Sequence, residues 1–310
     1  TINNFHGSVV CDPSDPTGQR FVVPTYHPSF LQRGATNLIG TVLWDLQQAF
    51  KATTEGQPQS DHSLIIDPPL EWFRAWVDQV IAARLQDPWA YPVSSDVETP
   101  DKASGQDEGE IGVEDRSLQI LRWNVACHPD EGITVPAEPE YLAELARLHQ
   151  SPGPIWTWNG IGYDWERIVR VGVMREEMFP QIIDLMWLWH RLQSDLPRGL
   201  GFVAPFYSNY GPWKHTADRE PAKYGAVDGV QNHRVGFGVM RDLESTGMLE
   251  PALRYVHQLM YMALRPAQII GVQVDRPELT RFKADLGRKA TGLLEKIAGC
   301  VPEDLLPLTP

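Results

Sequence analysis

The sequence predicts an α/β protein: a mixed sheet flanked by helices, with a helical C-terminal extension and a partial α/β segment at the N-terminus. Two observations carry that expectation. Between residues 90 and 170 the apolar segments follow a β-β-β-α-β-α order, which requires helices lying on a sheet with both strand directions. Beyond Ile182 the apolar residues recur at helical spacing and strand-like runs cease. Composition agrees, since 42% hydrophobic and 22% charged residues over 310 positions allow a sizeable core and exclude global disorder. No apolar run reaches the roughly 18 residues that cross a bilayer.

Taken in order, Arg20-Phe-Val-Val-Pro24 is a short strand-like run, and Thr25-Tyr-His-Pro-Ser-Phe-Leu-Gln-Arg33 a loop entering a helix. Residues 37–50 place Leu38, Val42, Leu46 and Ala49 on one helical face, and the polar residues 52–61 read as a linker. Residues 68–86 form a helix with Trp72, Trp76, Val80 and Ala83 together. Strands follow at 90–96, 117–126 and 133–135, interrupted by a loop at 101–115 that holds six acids and one Lys. A helix at 138–150, an aromatic strand at 155–158 and a helix from Asp164 complete the α/β part. Helices are expected at 184–193, 222–243, 251–270 and 277–298, with a Gly/Pro-rich region at 196–213 and an extended turn at 271–275. Between Arg281 and Lys296 five basic residues face two acidic ones, a local +3.

The chain as a whole is acidic, with 27 Lys and Arg against 40 Asp and Glu, a net −13. That argues against a protein that coats nucleic acid by bulk electrostatics. It leaves room for an enzyme that gathers carboxylates around divalent cations. Cys11, Cys127 and Cys300 are sparse and form no CxxC pair, so buried thiols in a reducing compartment are expected. No signal peptide is visible, and a cytoplasmic location in a bacterial or phage-infected cell is expected. The missing initiator Met and the abrupt end at Thr309-Pro310 suggest a piece of a longer chain.

Three short motifs carry candidate chemistry. Asp96-Val-Glu98 ends a strand, where side chains two apart share a face and aim two carboxylates at one spot. Asn159-Gly-Ile-Gly-Tyr-Asp164 links an apolar strand to a helix, and Tyr224-Gly-Ala-Val-Asp228 puts a phenol and a carboxylate on one helical face. Singly, each has an ordinary reading: a solvated strand end, an Asp N-cap, a surface pair. Together they offer four carboxylates and one tyrosine in a fixed order, which is far more specific. GxGxxG, P-loop and GxSxG patterns are absent, and His190, His215 and His233 form no zinc-ligand spacing. Trp72, Trp76, Trp165, Trp187 and Trp189 read as core, whereas Trp156 and Trp158 share a strand face near Asn159.

This set resembles the three exonuclease motifs of the DEDD superfamily, in the tyrosine-bearing branch that includes the proofreading domains of family A DNA polymerases. The resemblance runs from about Tyr91 to Met248 and takes in Asp184-Leu-Met-Trp-Leu-Trp-His190, Asp195-Leu-Pro-Arg-Gly-Leu-Gly201 and Trp213-Lys-His215, which look like phage-type polymerase segments. It implies a ribonuclease H-like fold and two divalent cations, Mg²⁺ or Mn²⁺, held by Asp96, Glu98, Asp164 and Asp228. Asp96 would bridge, Asp164 would serve the second ion, and Tyr224 would orient the attacking water. Thr99 and Asn159 are the substrate-binding positions that the resemblance implies. The long acidic loop departs from the pattern and could repel or gate a strand.

Two flanking resemblances complete the picture. Thr25 to Arg33 is similar to the late His-Pro-Ser motif of family 4-like uracil-DNA glycosylases, with His27 in the place of the histidine that approaches a flipped uracil. The earlier motif that activates water is missing, so a glycosylase remnant without activity is implied. Tyr255-Val-His-Gln-Leu-Met260 to Gly271-Val-Gln-Val-Asp275 resembles the start of a polymerase thumb, with no palm or fingers motif after it. The implied organisation is a glycosylase-like remnant at 1–55, a linker and bridging helix at 56–90, an exonuclease domain at 91–248 and a thumb-like region at 249–310. The expected partners are a single-stranded DNA 3′ end or frayed primer terminus and a polymerase domain of the full-length chain, with no membrane. Two rivals are an exoribonuclease acting on RNA 3′ ends and a catalytically silent binding module.

Overall fold

Residue parity along one strand decides which side of the sheet carries the candidate chemistry. The computed structural model describes residues 2–12, 14–18, 20–56, 62–100 and 119–300. Two short antiparallel strands, β1 (Val10–Cys11) and β2 (Phe21–Val22), open the chain, followed by α1 (Pro28–Gln32) and α2 (Ile39–Glu55). Then come β3 (Ser63–Ile66), α3 (Leu70–Gln86), β4 (Val93–Glu98), β5 (Arg122–His128), β6 (Glu131–Pro136) and α4 (Pro139–His149). β7 (Ile155–Thr157), α5 (Asp164–Arg170), β8 (Ile182–Asp184), α6 (Leu185–Leu192), α7 (Leu200–Val203), α8 (Pro221–Ser245) and α9 (Leu249–His257) follow.

The six-stranded sheet has the order β3-β6-β5-β4-β7-β8. β5 pairs antiparallel with β4 and β6, and the remaining neighbours are parallel, so the sheet is mixed as expected. On β4, Ser94 Oγ donates to Gly229 O of α8 at 2.8 Å. The next residue, Ser95, faces the other way: its Oγ accepts from Trp123 Nε1 at 2.8 Å and donates to His149 Nε2 of α4 at 2.9 Å. Side chains alternate along a strand, so Asp96 and Glu98 share the α8 face with Ser94.

α8 lies unusually close to the strands. A Cβ at Gly132 of β6 would stand 2.2 Å from the Ala226 carbonyl oxygen, and one at Gly225 would stand 2.3 Å from Asn124 Oδ1. No side chain fits in either place, and both positions are glycine. Pro221 opens the helix, where its fixed φ and missing N–H cost nothing.

Residues 1–262 form one compact unit and residues 263–310 a second. In the first, the N-terminal segment is held by a buried pair: His6 Nδ1 lies 2.9 Å from Asp45 Oδ1 of α2, and His6 Nε2 lies 2.8 Å from the Phe202 carbonyl oxygen. Thr25 Oγ1 donates to the other Asp45 oxygen at 2.6 Å. This pairing turns α2 relative to the expected face. Leu38, Thr41, Asp45 and Ala52 are buried, whereas Leu46 is exposed. The expected linker begins later than 52, because α2 continues to Glu55; residues 57–61 lie outside the described residues.

Other elements differ in detail. α3 buries Phe73, Trp76, Val77 and Arg84, leaving Trp72 exposed. β3 and β8 were not expected as strands, being four and three residues long. Cys127 is buried, but Cys11 and Cys300 are exposed, against the expectation of three buried thiols. The helix expected over 251–270 gives way to a π-helical stretch at Gln258–Leu264, ahead of Pro266, which has no N–H for the α-helical ladder. In the second unit, α10 (Arg265–Ile270) precedes α11 (Arg276–Cys300). α11 has no buried residue, and Leu279, Phe282, Leu286, Leu293 and Ile297 are all exposed.

Candidate metal centre

β4 presents Asp96 and Glu98 toward α8, and the antiparallel register sets Asn124 of β5 directly opposite Asp96. The Asn124 amide donates to Asp96 Oδ2 at 3.0 Å and to Glu98 Oε1 at 3.1 Å, holding the two carboxylates side by side. Helical spacing on α8 then brings Tyr224 and Asp228 onto one face. Ligand atoms of Asp96, Glu98 and Asp228 all lie within 4.8 Å of one another.

Three carboxylates so close must be neutralised by protons or cations. Burial, with the Asp228 charge second, pushes Asp96 up to about 7, and burial with the Asp96 charge pushes Glu98 up to about 8. Asp228 is already served by two donors. Trp213 Nε1 bonds its Oδ1 at 2.5 Å, and Lys214 Nζ bonds Oδ1 and Oδ2 at 2.7 and 2.8 Å. Lys214 Nζ also donates to Tyr224 Oη at 3.0 Å. The Tyr224 hydroxyl is raised well above its ordinary range, chiefly by burial and then by the Asp228 charge, so it stays a neutral phenol.

Asp164 stands apart from this trio but not far from it. Its carboxyl is raised well above the usual range by burial first, then by the charges of Asp96 and Asp184. The N-cap of α5 is Tyr163, so Asp164 sits in the first turn and is not the capping residue. It is 3% exposed.

The loop of the second motif is organised by Asp184, a residue that sequence reasoning did not single out for the site. Asp184 is fully buried and accepts N–H bonds from Asn159 at 3.0 Å, Ile161 at 3.2 Å and Met186 at 3.2 Å. Burial raises it to about 6 despite these bonds. The signal was an Asp directly before a helix, where it caps α6. Asn159 adopts the left-handed conformation at φ 63°, which Asn tolerates better than most residues, and its side chain lines the central cavity. Thr99 Oγ1 is hydrogen-bonded to Tyr163 Oη at 2.7 Å.

That cavity measures about 740 Å³ and is lined by Asp96, Asp228, Lys214, Asn159, Trp158, Trp187 and Arg198, among others. Arg198 lies over the Trp187 ring at 5.5 Å, and Trp158 Nε1 donates to the Arg198 carbonyl oxygen at 3.0 Å. Trp156 packs against His233 and Phe237 of α8, while Trp158 lines the cavity together with Asp228 and Asn232 of the same helix.

His27 is engaged locally: its exposed ring caps α1, with Nδ1 accepting from Ser29 N at 3.1 Å. The acidic loop expected at 101–115 lies outside the described residues. No helix among the described residues is long and apolar enough to cross a membrane.

The chain is thus an α/β protein in which a mixed six-stranded sheet and a long helix bring Asp96, Glu98 and Asp228 into a cluster able to hold a metal ion. No protein-family model matches the sequence, and no curated protein matches it significantly.

Proposed function

We propose that the protein is a metal-dependent 3′→5′ exonuclease that hydrolyses phosphodiester bonds at DNA 3′ ends, on a sheet of ribonuclease H-like type. The observation that carries this reading is the convergence of Asp96, Glu98 and Asp228 within 4.8 Å, with Tyr224 and Asp164 beside them. An all-carboxylate donor set suits hard divalent cations such as Mg²⁺ or Mn²⁺. Asp96, Glu98 and Asp228 would hold one ion, and Asp164 with Asp96 a second. When bound, such ions supply an activated water and neutralise charge at phosphorus.

The chain's own residues do the rest. The Tyr224 hydroxyl keeps its proton and can donate it to the attacking water. A phenol held neutral by its surroundings orients that water rather than deprotonating it. Asn124 fixes the pair of carboxylates, and Asp184 fixes the loop bearing Asn159. Trp158 and Trp187 offer flat faces on which unpaired bases stack, and Arg198 offers charge to a phosphate. In this reading Asn159 and Thr99 would hold the sugar and terminal phosphate of the strand.

The test is degradation of 5′-labelled single strands of DNA and RNA with Mg²⁺, Mn²⁺ or EDTA, for wild type and Asp96→Ala. Stepwise shortening from the DNA 3′ end, lost with EDTA and with the substitution, is expected. Shortening of RNA alone would move the proposal to an exoribonuclease. Strands bound yet untouched would make the cluster a binding module.

A further inference from the structure

Asp228 is the most crowded carboxylate of the cluster. Lys214 Nζ contacts both of its oxygens, at 2.7 and 2.8 Å, and Trp213 Nε1 takes Oδ1 as well. A divalent ion shared by Asp96, Glu98 and Asp228 therefore needs an oxygen that already faces an ammonium. Two cations on one carboxylate repel, and in a partly buried site that repulsion is weakly screened. The lysine nevertheless has somewhere to go: its side chain is 20% exposed and lines the cavity.

We propose that Lys214 is an exchangeable counter-cation of the carboxylate cluster, which neutralises Asp228 until a divalent cation enters and which that cation must displace from Asp228. The displaced ammonium swings into the cavity, where the nuclease reading places the phosphate; only this last point rests on that reading. Lys214 is thus a positioning residue, acting through Asp228. Exchange and a merely structural role predict opposite results. A structural lysine, once removed, loosens Asp228 and weakens metal binding. A competing lysine, once removed, leaves the metal a freer ligand and tightens it.

Mn²⁺ binding to the full chain, followed by the electron paramagnetic resonance of free Mn²⁺ near pH 8, separates the two. Lys214→Met is expected to lower the Mn²⁺ Kd by roughly tenfold, the scale of one charge-assisted hydrogen bond. Lys214→Arg, which keeps the charge, is expected to stay close to wild type, and Asp228→Asn to abolish the gain. Near-UV circular dichroism reports whether each variant is folded. If Lys214→Met does not fold, Lys214→Gln carries the same expectation of tighter binding. A folded neutral variant with unchanged or weaker Mn²⁺ binding overturns the proposal. Cleavage by wild type alongside that result leaves the nuclease reading standing, whereas tighter binding without any cleavage sinks the nuclease reading and keeps the exchange.

Discussion

Two aspartates in this molecule each meet a basic side chain, and they are built for opposite ends. At Asp45 both partners are sealed, with His6 and Asp45 side chains fully buried and every contact closed by Thr25 or the Phe202 carbonyl. At Asp228 the pair faces a cavity, with Lys214 20% exposed and two more carboxylates within reach. The sealed pair ties the N-terminal segment to α2 and α7. The open pair carries a charge that another cation can replace. The two pairs differ in burial and, beyond that, in whether the surrounding groups are complete.

The largest expected effect comes from breaking the sealed pair. Asp45→Ala leaves the buried His6 Nδ1 and Thr25 Oγ1 both without a partner and should lower stability by about 3–5 kcal/mol in urea unfolding. Asp228→Asn should lower it by about 1–2 kcal/mol, because Lys214 turns into the cavity. Equal losses would erase the distinction.

Gly225→Ala attacks the open site without touching a carboxylate. The added Cβ meets the Asn124 amide at 2.3–2.6 Å, so Asn124 must leave Asp96 and Glu98 or α8 must lift. An overpacking loss of about 1–3 kcal/mol is expected in thermal melts, together with weaker Mn²⁺ binding. Retained metal affinity would show that Asn124 is dispensable.

The smallest effect is a pH dependence. Asp96 is raised to about 7 from an ordinary carboxylate value near 4, so the native metal-free protein holds a proton that the unfolded chain has lost in that window. Its contribution is therefore present below about pH 4 and is lost as pH rises through 7. Asp96→Asn has no such proton to lose. Its stability relative to wild type should grow from pH 5 to pH 8, by on the order of 1–2 kcal/mol, and then level off. Mn²⁺ should erase the difference by restoring wild type at high pH. A flat difference across that range would contradict the crowded cluster.

What the sequence revealed follows from the range of each signal. Strand alternation put Asp96 and Glu98 on one face, and helical spacing put Tyr224 with Asp228, because both periods are local. Lys214 and Trp213 could be read only as members of a resembling segment, since a loop, not a period, brings them to Asp228. Asn124 was invisible for a related reason: its role comes from the register of β4 with β5, across a segment that no sequence pattern spans. Leu46 was assigned to the core on periodicity, yet the buried Asp45 beside it decided the orientation of α2. Polar pairing overrode hydrophobic pattern there.

The docking of α8 on the sheet also sets an order in time. Ser94 and Gly229, which are joined by a hydrogen bond, stand 135 positions apart in the chain. During synthesis β4 emerges with two of the clustered carboxylates long before the helix that supplies the third. A nascent chain that ends before Pro221 carries Asp96 and Glu98 without Asp228, and so cannot gather the trio of ligands. Competence to hold a cation thus reports that the long-range contacts between β4 and α8 have closed, and a half-made copy is silent by construction.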